Sequence, residues 1–193
     1  MRPARVMRRV SDDSGVTMIE LLMYSLLLGL VISTVASVLI SSMFAERTVR
    51  EVITATTKAQ LAADSVNTGI RNSSAYDVVA VGADQMVRAR VARGAGTTTV
   101  TWVCAAWYYS SSLKTISYRE SATAIAAPAT TTVLKTWTVL ADGVSPASGT
   151  TIFTDTRPTL AIAFQTAAGD DPPGSIKTSA VSRSEAWKSD VCF

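Results

Sequence analysis

The chain has 193 residues, of which 48% are hydrophobic, a length that allows one ordinary domain plus one long additional element. It contains no histidine and only two cysteines, which removes the commonest general base and excludes a zinc site built on thiolates. The formal net charge of +3 is concentrated in an arginine-rich stretch before residue 15, so the rest of the chain lacks the basic surface that direct nucleic-acid binding requires.

An uncharged apolar run follows this basic stretch and occupies residues 21–45. It is longer than the roughly 20 residues that a helix needs to cross a hydrocarbon core. It also exceeds the core of a secretory signal peptide, which has about 7 to 15 apolar residues. We therefore predict a transmembrane segment in contact with membrane lipid. The preceding arginines place residues 1–15 in the cytoplasm and the chain after about residue 45 outside the cytoplasmic membrane.

The helix is predicted to continue to about residue 71, because neither proline nor glycine occurs between residue 45 and Gly69. Residues 46–72 form its amphipathic half, with apolar and small residues recurring every three or four positions. These residues are Val49, Val52, Ile53, Thr56, Ala59, Ala63, Val66 and Ile70. Leu61 lies on the charged side, where it is either a tolerated exposed leucine or a contact with a neighbouring copy of the chain.

The pattern changes to short β-rich runs after residue 72, which predicts an extracytoplasmic head domain over residues 73–193. The predicted strands are 76–81, 85–92, 97–109, 113–119, 131–140, 150–154 and 159–166. Turns are expected at "RGAG" (93–96) and "YSSS" (109–112), and loops at "SATAIAAPATTT" (121–132), "ADGVSPASG" (141–149) and "GDDPPG" (169–174). Short connections favour an antiparallel sheet. The predicted fold class is α+β, with the amphipathic half of the helix packed on that sheet.

The head domain offers few groups for chemistry. Cys104 and Cys192 form either one disulfide or two separate buried thiols. The "GDDPPG" stretch could give oxygens to Ca²⁺, but two aspartates before two prolines are more typical of a solvated turn. No nucleophile with a matching base is evident. We therefore predict a protein without enzymatic activity, bound metal or cofactor.

Glu20 is a carboxylate at the head of the apolar run, and such a charge usually has a function and a partner. The stretch "GVTMIE" (15–20), after a short basic leader, resembles the signal of type IV prepilins and type II secretion pseudopilins. The resemblance implies cleavage between Gly15 and Val16 by a prepilin peptidase, with methylation of the new Val16 amine. It departs from the family in having valine first and in lacking a helix-bending proline near Ser37.

The resemblance also implies partners and a location. Residues 16–45 would form the filament core, Glu20 would pair with the N-terminal amine of a neighbouring subunit, and assembly would require other pilin or pseudopilin subunits and an inner-membrane platform. The subunit would move from the cytoplasmic membrane to an extracellular or periplasmic filament. A looser similarity to J-type pseudopilins and PilW-like minor pilins is found in residues 102–120, 137–144 and 159–166. It implies that the protein is a minor subunit at the filament tip or at the initiation of assembly. The alternative is a membrane-anchored adhesin or binding domain with an uncleaved signal-anchor.

Overall fold

The computed structural model describes residues 15–94, 99–169, 171–184, 189 and 191–193. Within these ranges the chain divides into two compact units, Met1–Glu46 and Arg47–Phe193. One long helix, α1 (Met18–Arg71), contributes to both units.

The first unit contains the apolar part of α1. Every described residue up to Glu46 is exposed, including a series of leucine, isoleucine and valine side chains that are more than half accessible. The apolar window has a mean hydropathy of 2.2, so this is a helix long and apolar enough to cross a membrane. Exposed apolar surface of this extent is typical of a membrane or protein contact site.

In the residues that the structure describes, the second unit contains the second part of α1, a one-turn helix and nine strands. The elements after α1 are β1 (Ser73–Val81), β2 (Asp84–Arg93), β3 (Thr101–Ser110), β4 (Thr115–Ser121), α2 (Thr131–Leu134), β5 (Thr138–Ala141), β6 (Val144–Pro146), β7 (Phe153–Thr156), β8 (Thr159–Ala168) and β9 (Asp171–Val181). A five-stranded sheet has the order β1-β2-β3-β4-β5. In the four-stranded sheet, β6 and β7 both pair with β8, which also pairs with β9. All of these pairings are antiparallel, as the short connections predict.

The main core lies between α1 and the inner faces of both sheets. The helix contributes mostly small side chains, whose size allows a close approach of the strands. They are Ala59, Ala62, Ala63, Val66, Gly69 and Ile70. The α+β class and the packing of the helix on antiparallel strands are therefore confirmed. The predicted apolar arc extends too far towards the N-terminus, because Val49 and Ile53 are exposed.

A second apolar cluster covers the outer face of the five-stranded sheet. Alternation along β3 sends Trp107 to the main core and its neighbours Ala106 and Tyr108 to this outer cluster. A disulfide between Cys104 and Cys192, with Cα atoms 5.4 Å apart, lies in the outer cluster. Of the two interpretations of these cysteines, the structure thus contains the disulfide.

Three sequence predictions about the head domain are wrong. The predicted strand 131–140 begins as helix α2, because the Thr130 hydroxyl caps its first turn by accepting from the Val133 N–H, and the strand starts only at Thr138. The predicted loop 141–149 contains the short strand β6. The predicted loop 169–174 ends at Gly169, and β9 has begun by Asp171.

Two further predictions fall partly or wholly beyond the described residues. The "RGAG" turn includes residues 95 and 96, which lie outside the described residues. The calcium alternative rests on Asp170 and on the side chain of Asp171, and both also lie outside what the structure describes. The "YSSS" turn is described, and it lies slightly later than predicted, at residues 111–114.

Candidate functional site

The start of α1 carries the residues that sequence analysis singled out. Gly15, Val16 and Thr17 lie before the helix and are exposed. The helix begins at Met18, and the Thr17 hydroxyl accepts a hydrogen bond of 3.4 Å from the Glu20 backbone N–H. This arrangement satisfies one of the free N–H groups of the first turn. The bond between Gly15 and Val16 is therefore outside regular structure and adjacent to a capped helix.

Glu20 lies in the first turn of α1 and is exposed. Its Oε1 accepts a hydrogen bond of 2.9 Å from the hydroxyl of Tyr24, one turn later. Sequence analysis missed Tyr24, although its spacing of four residues is the signal that places both side chains on one helix face. No basic side chain pairs with Glu20 in the part of the chain that the structure describes. Glu20 therefore has a hydrogen-bonding neighbour but no counter-charge.

Five other hydroxyl groups along the apolar run bond within the helix itself. Each donates to a backbone carbonyl three or four residues earlier, which satisfies the hydroxyl without water. These side chains are Ser25, Ser33, Thr34, Ser37 and Ser41. Glu20 is the only charged side chain between Met18 and Ala45. It is thus the polar group in this run whose charge the helix cannot satisfy internally.

An exposed apolar stripe continues into the second unit. Val49, Ile53 and Leu61 are each more than half accessible, and together with Thr57 they repeat every four residues. Each step of four residues advances about 40° around the helix, so the stripe winds by about 120° from Val49 to Leu61, which lies on the charged side. The exposure of Leu61 agrees with both interpretations offered for it, a tolerated exposed leucine and a contact with another molecule.

Three tyrosines of the head domain donate hydrogen bonds to acidic side chains, namely Tyr76, Tyr108 and Tyr118. Burial and the hydrogen bond to Glu120 raise the pKa of Tyr118 to about 12. Burial and the hydrogen bond to Asp155 raise the pKa of Tyr76 as well. Phenols of this kind stay protonated and act as hydrogen-bond donors rather than bases.

A carboxylate near the start of β2 organises the turn after β3. Asp84 accepts hydrogen bonds from the backbone N–H and the hydroxyl of Ser111, both at 2.7 Å, and from the hydroxyl of Tyr108 at 2.7 Å. Burial alone would raise its pKa, but these three donors outweigh burial and lower the pKa. Because every donor belongs to the scaffold, this carboxylate is structural.

Metal-binding groupings are also missing from the described ranges. No group of three or more His, Cys, Asp or Glu side chains there could hold a metal ion.

No family model matches the chain, and neither a curated protein nor a solved structure shows significant similarity to it. The fold and the geometry of individual residues therefore carry the functional argument.

Proposed function

We propose that this protein is a structural subunit of a type IV pilus or a type II secretion-like filament, a minor tip or initiation subunit. It would be cleaved after Gly15, methylated at Val16 and assembled through α1. The observation that carries the proposal is the position of Glu20, the one charged side chain of an apolar, fully exposed helical run, five residues after a glycine that ends a basic leader.

The physical reason concerns the cost of a charge in an apolar environment. A charged side chain at the centre of a membrane helix costs about 2.5–3.5 kcal/mol on insertion scales, which is an upper bound for Glu20 in the first turn of α1. Cleavage before Val16 would create an ammonium group close to the carboxylate in sequence. Pairing that group with Glu20 of an adjacent subunit would recover much of the cost, and it would fix the axial register between two helices. Tyr24 supports this role, because its hydroxyl holds the carboxylate from one side and leaves the other oxygen available.

Peptide mass spectrometry of the N-terminus tests the processing step. The protein is taken from its native membrane and from sheared surface material. A chain that begins at N-methylated Val16 is the expected result, and its abundance in the sheared fraction distinguishes a shaft subunit from a tip subunit. A chain that retains the residues before Gly15, in cells with an active prepilin peptidase, would overturn the proposal and favour the anchored adhesin or binding domain.

Substitution of Glu20 tests the assembly step. Glu20→Gln removes the charge while nearly preserving the shape, so membrane insertion should remain and incorporation into filaments should fall at least tenfold. Glu51→Gln is the matched control, because Glu51 lies outside the apolar run and forms a surface ion pair with Arg47 at 2.9 Å, an interaction that contributes little to stability. Equal incorporation of the two variants would contradict the role of Glu20.

The exposed stripe gives a second test of assembly. Leu61→Asp places a charge on the stripe without touching the core, so the head domain should fold normally while binding to other subunits weakens. Gln60→Asp, at the adjacent exposed position, is the control. Unchanged cross-linking to neighbouring subunits in Leu61→Asp would leave Leu61 as a tolerated exposed leucine.

A further inference from the structure

The outer face of the five-stranded sheet carries a cleft that the proposed filament role does not use. Its volume is about 340 Å³, at the lower end of the range for small-molecule sites. The Ala-rich segment over residues 123–129 forms one wall, and the end of β4 with Val133 and Trp137 forms the rest. Most of this lining is apolar, with Arg119, Ser121 and Thr123 as the polar groups.

The walls of this cleft are held in place by buried contacts. Ile125 and Trp137 are 6% and 4% exposed and belong to the outer apolar cluster, which also contains the disulfide. The Trp137 ring packs edge-on against Tyr108, with ring centroids 6.1 Å apart. Although the sequence of the segment is of low complexity, it is anchored at both ends. The cleft is therefore preformed, which lowers the entropic cost of binding.

The charge in the cleft is positive and uncompensated. Arg119 is exposed, and in the described part of the chain no carboxylate pairs with it. The adjacent Glu120 points to the opposite face of the sheet, where its Oε2 accepts from Arg93 at 2.9 Å. An arginine fork beside two hydroxyl groups suits a carboxylate, which accepts two parallel hydrogen bonds from guanidinium.

One buried polar group at the cleft has no partner. The indole N–H of Trp137 donates to no acceptor among the described residues. The nitrogen atom is itself buried behind the wall, so this N–H serves as a reporter of changes in the packing of the cleft rather than as a direct contact to a ligand.

We infer that this cleft binds a small organic carboxylate that carries one short apolar group. The carboxylate lies against Arg119 and the hydroxyl pair of Ser121 and Thr123, which share one hydrogen bond of 3.2 Å and so leave one hydroxyl proton free to donate. The apolar group lies against Val133 and the Ala-rich wall. A free N-acyl amino acid has this chemistry.

Titration of the full chain in detergent micelles with N-acetyl-leucine tests the inference. Binding is followed by the NMR signal of the Trp137 indole N–H, identified by its loss in Trp137→Phe. Saturable movement of this signal is expected with N-acetyl-leucine, and none with the neutral N-acetyl-leucinamide. Equal movement with both compounds, or no movement with either, would overturn the inference.

Variants separate recognition of the charge from general surface effects. Arg119→Gln should weaken binding of N-acetyl-leucine about tenfold or more, since hydrogen bonds to charged groups are the strong ones. Arg183→Gln is the matched control, an exposed arginine outside the cleft, and should bind as the wild type does. Equal affinity of the Arg119→Gln variant and wild type would exclude this site. Because the test concerns the head domain alone, its failure leaves the filament proposal intact.

Discussion

Gly69→Ala should destabilise the head domain, although helix propensity alone predicts the opposite. Gly69 lies in the last turn of α1, and within a helix alanine is favoured over glycine by up to about 1 kcal/mol. A Cβ at this position would lie 2.1 Å from Cη2 and 2.5 Å from Cζ2 of Trp107. Trp107 is 1% exposed, and its indole N–H donates to the Ser65 hydroxyl at 2.9 Å. The ring cannot move aside without losing core packing and this hydrogen bond.

The magnitude follows from these two opposing effects. Overpacking of a core costs about 1–3 kcal/mol, and the direct overlap with a buried ring puts this site at the upper end. After subtraction of the gain in propensity, we expect a loss of about 1–2 kcal/mol in the free energy of unfolding. Urea unfolding of the full chain in micelles, followed by tryptophan fluorescence, measures this quantity by linear extrapolation.

Two further variants make the interpretation specific. Gly29→Ala is the control for the glycine-to-alanine change, because a Cβ there meets nothing within 4 Å. Trp107→Phe removes the two ring atoms that the new methyl group would meet, so Gly69→Ala should cost less in that background than in the wild type. A Gly69→Ala variant as stable as the wild type would refute the close approach of helix and sheet on which this reasoning rests.

Three other perturbations test the head domain. Asp84→Asn should flatten the dependence of stability on acid pH. Because folding lowers the pKa of Asp84, the carboxylate stabilises the folded state above its ordinary pKa of 3.8, and this stabilisation is lost as pH falls through the lower pKa of the folded state. The thermal unfolding temperature should therefore differ most from that of the wild type near neutral pH and least in acid. Double substitution of Cys104 and Cys192 by serine should lower the free energy of unfolding by about 2–4 kcal/mol, because the disulfide closes a loop with a sequence separation of 88. Reduction of the wild type with dithiothreitol should reproduce most of that loss. Gln85→Leu should lower the free energy of unfolding in urea by about 2–4 kcal/mol. The reason is that Gln85 joins the two sheets through three hydrogen bonds to buried backbone groups of residues 152 and 153. A loss below about 0.5 kcal/mol, as at ordinary surface sites, would show that water replaces the Gln85 side chain.

Periodicity explains which parts of the fold the sequence predicted. The helix and the strands β1 to β4 were recognisable because long apolar or alternating runs bury one face against a continuous core. Helix α2 was missed because its β-branched residues favour strands in general. The local cap from Thr130 decides the structure instead.

Strand β9 was missed for a different reason. Two prolines, Pro172 and Pro173, normally exclude a strand, since proline cannot donate to a ladder. In the described residues β9 pairs only with β8, so it is an edge strand. Its prolines lie at its start, where such residues are tolerated. Whether a strand is central or at an edge depends on tertiary topology, which the local sequence does not contain.

The candidate site divides in the same way between local and nonlocal information. Gly15, Val16 and Glu20 are candidates because of their order along the chain, and helical spacing adds Tyr24. The cleft beside Arg119 could not, because its walls come from segments that meet only after β3, β4 and the Ala-rich segment have packed together.

The character of α1 changes along its length, and this change bears on the choice between a filament subunit and an anchored domain. From Ala59 onwards it buries small residues that fit the strands of its own chain, whereas its apolar residues before Glu46 are exposed. Either lipid or other helices would satisfy those apolar side chains equally well. Glu20 is what separates the two possibilities, because lipid tails offer no counter-charge and a neighbouring N-terminal ammonium does. An anchored domain should therefore tolerate Glu20→Gln or gain membrane stability from it, while a filament subunit should insert normally and fail to assemble.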